Sequence, residues 1–83
     1  MNYDEIVVAP SALKRGHDPE DIRHALRRHY PFPFATDDPD VMMIVGPARS
    51  GALLEVGFLI SSDDGAVVAI HCMNARGKYL RRL

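Results

Sequence analysis

The run from Val41 to Arg76 decides the fold: V-M-M-I-V-G (41–46), P-A-R-S (47–50), G-A-L-L-E-V-G-F-L-I (51–60), S-S-D-D-G (61–65) and A-V-V-A-I-H-C-M-N-A-R (66–76). Three apolar, β-preferring stretches alternate with two of turn chemistry. Gly46 and Gly51 flank the first turn, and Asp64-Gly65 lies inside the second. The pattern predicts a three-stranded antiparallel meander. With Asp64-Gly65 at the centre of a two-residue hairpin, Asp63 faces Ala66; the first hairpin closes with Gly46 opposite Gly51. In that register Met43, Val45, Leu54, Val56, Phe58, Val67, Ala69, His71 and Met73 share one apolar face. Ile44, Glu55, Leu59, Ile70, Cys72, Asn74 and Arg76 share the other, Glu55 facing Asn74 at a charged corner beside Arg76. A slip of one residue would exchange the two faces.

Upstream of the meander the chain reads as its helical cover. Asp18 is an N-cap, Pro19 the first helical residue, and Glu20 and Asp21 add negative charge to the first turn. Ile22, Ala25, Leu26 and His29 follow at the spacing of one buried helix face, with Arg23, Arg27 and Arg28 on the other. The two prolines of Tyr30-Pro31-Phe32-Pro33-Phe34 end it. Earlier still, Ser11 can cap a stub over Ala12 to Arg15 that Gly16 closes, and Ile6 to Ala9 is an edge strand or an extended arm stopped by Pro10. The expected fold is therefore α+β: short N-terminal helices on one face of a small antiparallel sheet, in a single domain spanning 1–83.

Composition narrows the function. With 83 residues and a net charge of −1, the chain is one domain and no polyanion binder in bulk. Its charge is unevenly placed: residues 1–40 carry eight acids against five bases, and residues 71–83 carry Arg76, Lys78, Arg81 and Arg82 without an acid. A local phosphate site suits such a tail, although charge runs are also common at a solvated terminus. The single cysteine, Cys72, excludes an internal disulfide, and the histidines have no zinc spacing. No cofactor and no metal are expected. The first apolar run is too short for a signal peptide and none approaches a membrane span, so the expected compartment is the cytoplasm.

Three stretches, L-K-R-G-H-D-P-E-D-I-R-H-A-L (13–26), I-V-G-P-A-R-S-G-A-L-L-E-V (44–56) and V-V-A-I-H-C-M-N-A-R (67–76), resemble in order and spacing the BrnT family of small toxins. That family belongs to the RelE/ParE-like group of type II toxin–antitoxin systems. The chain departs from it in lacking a tryptophan-containing first strand and in its short first helix and short C-terminal tail. The resemblance implies a RelE-like fold, a cognate antitoxin as partner, an RNA substrate, and metal-independent endoribonuclease activity. Cleavage of that kind uses the RNA 2′-hydroxyl as nucleophile and leaves a cyclic phosphate. A homodimer or a toxin–antitoxin hetero-oligomer is compatible with it.

Such cleavage needs a base for the 2′-hydroxyl, cations for the charge gathering on phosphorus, and an acid for the leaving oxygen. Arg76 can clamp the phosphate or simply pair with Glu55. Glu55 can act as the base. His71 can move a proton or pack in the core. Tyr79 can donate a proton, stack on a base, or anchor the tail. Lys78, Arg49, Lys14 and Arg15 can contact RNA or merely face solvent. The other class of function open to this sequence is a non-catalytic module that binds a protein through its exposed sheet face.

Overall fold

A computed structural model describes residues 2–83, with side chains from Glu5 onward. In chain order the elements are β1 (Asn2–Val8), a 3-10 helix (Pro10–Leu13), α1 (Pro19–Arg27), β2 (Phe34–Ala35), β3 (Met42–Pro47), β4 (Leu53–Ile60), β5 (Ala66–Asn74) and α2 (Gly77–Leu80). The meander is present as β3, β4 and β5, but it is the centre of a larger sheet. Five strands lie in the order β1-β5-β4-β3-β2. Of the two readings of Ile6 to Ala9 the edge strand is the one present, within β1; the expectation of a small antiparallel sheet is corrected in that β1 runs parallel to β5 and that the two residues of β2 extend the opposite edge. The class is α+β.

Helix α1 starts where its capping chemistry dictates, with the Asp18 carboxylate accepting the Glu20 N–H at 2.7 Å and Pro19 opening the first turn. Its inner face, Ile22, Ala25 and Leu26, is buried against Ile44, Leu54, Val56, Val67, Ala69 and Cys72. The helix approaches β3 at Gly46, where a Cβ would stand 2.2 Å from the Ala25 carbonyl oxygen. Only a glycine tolerates that contact without displacing the helix. Ser11 does not cap the 3-10 helix; its hydroxyl donates to the Ile70 carbonyl at 2.6 Å.

The register differs from the sequence expectation in two places, and both decide which side chains share a face. Gly46 pairs with Leu54 and Pro47 with Leu53, leaving Ala48 to Ala52 as a five-residue loop with Gly51 at φ 93°. Relative to the expected closure this shift is odd, so Ile44 rather than Val45 joins Val56 under the helix. At the second turn Ser61 N–H bonds the Ala66 carbonyl, enclosing a four-residue loop instead of two. That even shift preserves the faces as far as Ala69. Next, Gly57 pairs with His71 and Phe58 with Ala69, so Ile70 is the extra residue of a β-bulge in β5. The bulge turns Cys72 towards the helix and His71 to the reverse side, and Glu55 comes to face Met73 rather than Asn74.

Candidate active site

The reverse side carries the charged groups. Glu55, near the start of β4, is fully buried, and both of its oxygens are used. Oε1 accepts the Arg76 backbone N–H at 3.1 Å and Arg76 Nε at 2.8 Å; Oε2 accepts Arg76 Nη2 at 2.7 Å and bonds His71 Nε2 at 3.0 Å. This convergence follows from local structure. The bulge delivers His71 to this side, and β5 pairing ends with the Ala75 N–H on the Leu53 carbonyl, after which Arg76 turns back over Glu55. Gly57 gives the histidine room, since a Cβ there would come within 3.1 Å of His71 Cβ.

Burial alone would raise the Glu55 carboxyl, but the hydrogen bonds from Arg76 and His71 outweigh it and hold the group below the ordinary carboxylate range. Glu55 is therefore an anion at neutral pH with no lone pair to spare, and it is no base for an incoming hydroxyl. Its work is to orient its two partners. A carboxylate only accepts, so His71 presents Nε2–H to it, and in the neutral ring Nδ1 is then the acceptor, the geometry by which a carboxylate fixes a histidine tautomer. His71 is one-quarter exposed and Arg76 less than half. With Nε and one Nη2 hydrogen committed to Glu55, Arg76 keeps three N–H donors, enough for an end-on bidentate grip on a phosphate.

Helix α2 covers the neighbouring part of the same side, so the reverse face is not bare as the sequence suggested. Tyr79 is buried with Phe34, Met43 and Val45, its ring 5.3 Å from that of Phe34. Arg76 lies 5.7 Å and Lys78 5.0 Å from the Tyr79 ring centre, and Arg82 lies 4.6 Å from that of Phe34. With its ring buried and packed by Phe34, Arg76 and Lys78, Tyr79 has little face left for an RNA base, and stacking on it is set aside. Lys78, Arg81 and Arg82 have no carboxylate partner among the described residues.

The remaining sequence candidates fall elsewhere. Arg49 ties the 48–52 loop to the start of α1, its backbone N–H and Nε both donating to the Asp21 carboxylate (3.0 and 2.8 Å) and its Nη2 lying 3.5 Å from Asp18. That pairing raises the Arg49 pKa and lowers that of Asp21. Lys14 and Arg15 are exposed beyond the 3-10 helix, with no described contact to Glu55, His71 or Arg76. Cys72 is buried under the helix, and burial first, with the Glu55 charge second, pushes its thiol up to about 11. Among the described residues no group of three or more His, Cys, Asp or Glu could hold a metal ion, and no helix is long and apolar enough to cross a membrane. What sequence reading missed is the part played by Thr36, Asp37 and Met43, which line a groove beside α2 with Lys78, Tyr79 and Arg82. The only signal for it was the acidic loop 36–40 lying just before the meander.

Comparisons of the chain with protein families, curated proteins and solved structures give no match.

Proposed function

We propose that this chain is the toxin of a toxin–antitoxin pair, a RelE-like, metal-independent endoribonuclease acting on messenger RNA and neutralised by a cognate antitoxin. The observation that carries this reading is the buried Glu55 carboxylate holding Arg76 and His71 together, both of them partly exposed. His71 Nδ1 takes the proton of the 2′-hydroxyl. The 2′-oxygen then bonds to phosphorus as the bond to the 5′-oxygen breaks, giving a 2′,3′-cyclic phosphate and a 5′-hydroxyl. The free N–H groups of Arg76 face the charge that gathers on the non-bridging oxygens. The Tyr79 hydroxyl, on the ring against which Arg76 and Lys78 both lie, gives the leaving oxygen its proton, and Lys78 adds positive charge for phosphate. Glu55 is a positioning residue.

A second reading is favoured by a separate observation. Leu59, Val68 and the half-exposed Ile60 line a shallow groove at the opposite end of the sheet from α2, a surface that a protein partner could cover without any catalysis. Expression separates the two. A toxin produced alone arrests growth, the arrest disappears in Arg76→Ala and His71→Gln with folding intact by circular dichroism, and the product of the neighbouring gene relieves it. Unimpaired growth, or arrest that survives both substitutions, would remove the nuclease reading.

A further inference from the structure

The groove between β2 and α2 has two walls of opposite charge and an apolar floor. Its volume is about 350 Å³, within the range of small-molecule sites. Met43 and Tyr79, both nearly buried, form the floor. Lys78 and Arg82 stand on one side, held against aromatic rings but without a carboxylate partner. Asp37 stands on the other, exposed and with no hydrogen bond or ion pair of its own side chain. Its neighbour Asp38 is different, for its carboxylate accepts the Asp40 N–H at 2.9 Å and shapes the loop. The Thr36 hydroxyl pins the same loop, its one proton shared between the Asp38 and Val41 carbonyls (2.9 Å each) while its oxygen accepts the Asp38 N–H at 3.2 Å. Asp37 is thus displayed on a loop fixed by its neighbours and contributes nothing evident to holding it.

We infer that this groove is a nucleotide subsite that selects guanine, with the base edge on Asp37 and the phosphate on Lys78 and Arg82. The inference rests on the ribonuclease reading for its substrate class and extends it to base preference. A carboxylate accepts and cannot donate. Guanine presents two adjacent donors, N1–H and an N2–H, and so can bond both carboxylate oxygens. Adenine and cytosine set a ring acceptor beside their amino group, and uracil flanks its one N–H with two carbonyls; each meets Asp37 with at most one good bond and one repulsion. The unpaired base of a single strand exposes this edge. Tyr79 links the groove to the cleavage groups, because Arg76 and Lys78 lie against the same ring. The groove therefore takes the nucleotide next to the phosphate held by Arg76.

The test is titration of the whole chain with 5′-GMP, AMP, CMP and UMP, followed through the backbone amide signals of Thr36, Asp37, Met43 and Lys78. GMP should move these signals and bind about tenfold more tightly than AMP, the scale of one bidentate base contact. Asp37→Asn should bring GMP down to the level of AMP, and Lys78→Gln with Arg82→Gln should weaken all four alike and flatten the dependence on salt. Equal affinities for the four nucleotides, a guanine preference that survives Asp37→Asn, or shifts confined to other residues would overturn the inference. Guanine binding here without any RNA cleavage would sink the nuclease reading and leave this one standing. Cleavage with no preference for guanine would do the reverse.

Discussion

The helix-covered face of the sheet and its reverse are built from alternate residues of the same strands, and they end in opposite chemistry. On the covered side Ile44, Leu54, Val56, Val67 and Ala69 meet Ile22, Ala25 and Leu26 in a core with nothing to titrate except the inert Cys72 thiol. One position along β4, Glu55 is as fully buried as Val56, yet it is charged and takes four hydrogen bonds. Packing on the first side is non-directional and tolerates only close fits. On the second side the cost of burying an anion is offset only by specific partners in specific directions. The difference teaches where to look for function: a fully buried carboxylate that leaves its two partners partly exposed is doing more than filling space.

This comparison can be broken first on the covered side, where the largest stability losses are expected. Ile44→Ala should cost about 2–5 kcal/mol, the range for emptying a well-packed aliphatic site. Gly46→Ala should cost about 1–3 kcal/mol, towards the upper end because the new Cβ meets backbone at Ala25 rather than a movable side chain. Both are read from denaturant or thermal unfolding. RNA cleavage by the fraction still folded should change little; a specific loss of activity in a folded Ile44→Ala protein would show that the two faces are not separable.

Much of this contrast was legible beforehand, and the illegible part has a definite physical origin. The Asp18-Pro19 start of α1, its buried stripe and the three apolar runs all follow from local chemistry. Glu55 and Arg76 do meet, but not through the strand alternation that put them on one face: β5 ends at Asn74, and Arg76 reaches Glu55 by turning back beyond it. The bulge does not follow from local chemistry, because A-V-V-A-I-H-C-M-N reads as uniform strand and the extra residue, Ile70, is fixed by a hydroxyl far away in sequence at Ser11. Without it His71 would sit under the helix. Nor could sequence foresee that a five-residue loop would displace β3 by an odd number, or that β1 would find a parallel partner in β5. Tyr79 was legible only as an anchor or a site residue, and the Phe34 contact that decides its packing joins chain segments 45 residues apart in number.

Substitutions on the reverse side sharpen the contrast by moving activity more than stability. Glu55→Gln keeps the shape but replaces two anionic acceptors with one neutral acceptor and a donor. Cleavage should fall by about two orders of magnitude or more, the usual range for disabling general acid–base catalysis. The ¹⁵N signals of His71 should also lose their fixed Nε2–H tautomer; a tautomer unchanged by the substitution would deny Glu55 its positioning role. The pH dependence has a defined sign. The folded Glu55 carboxyl titrates below its ordinary value of 4.5, so its contribution to stability is complete above that pH and is lost as the pH falls through the lower folded value. The stability gap between the wild-type chain and Glu55→Gln should thus close on acidification below about pH 4.5. A gap that widens in acid would mean the carboxyl is held protonated.

The smallest effect is expected at Arg49, whose ion pairs with Asp21 and Asp18 are exposed to solvent. Arg49→Ala should shift the unfolding temperature barely measurably and leave RNA cleavage intact. A strong loss of cleavage would return Arg49 to the substrate-binding surface.

Product analysis tests the account most directly. Purified protein is incubated with a single-stranded RNA in excess chelator, and the fragment ends are identified by mass spectrometry. The account predicts 2′,3′-cyclic phosphate and 5′-hydroxyl ends that appear with the wild-type chain and are absent with His71→Gln. Intact RNA under these conditions, or the same fragments at the same rate from the His71→Gln protein, would contradict it.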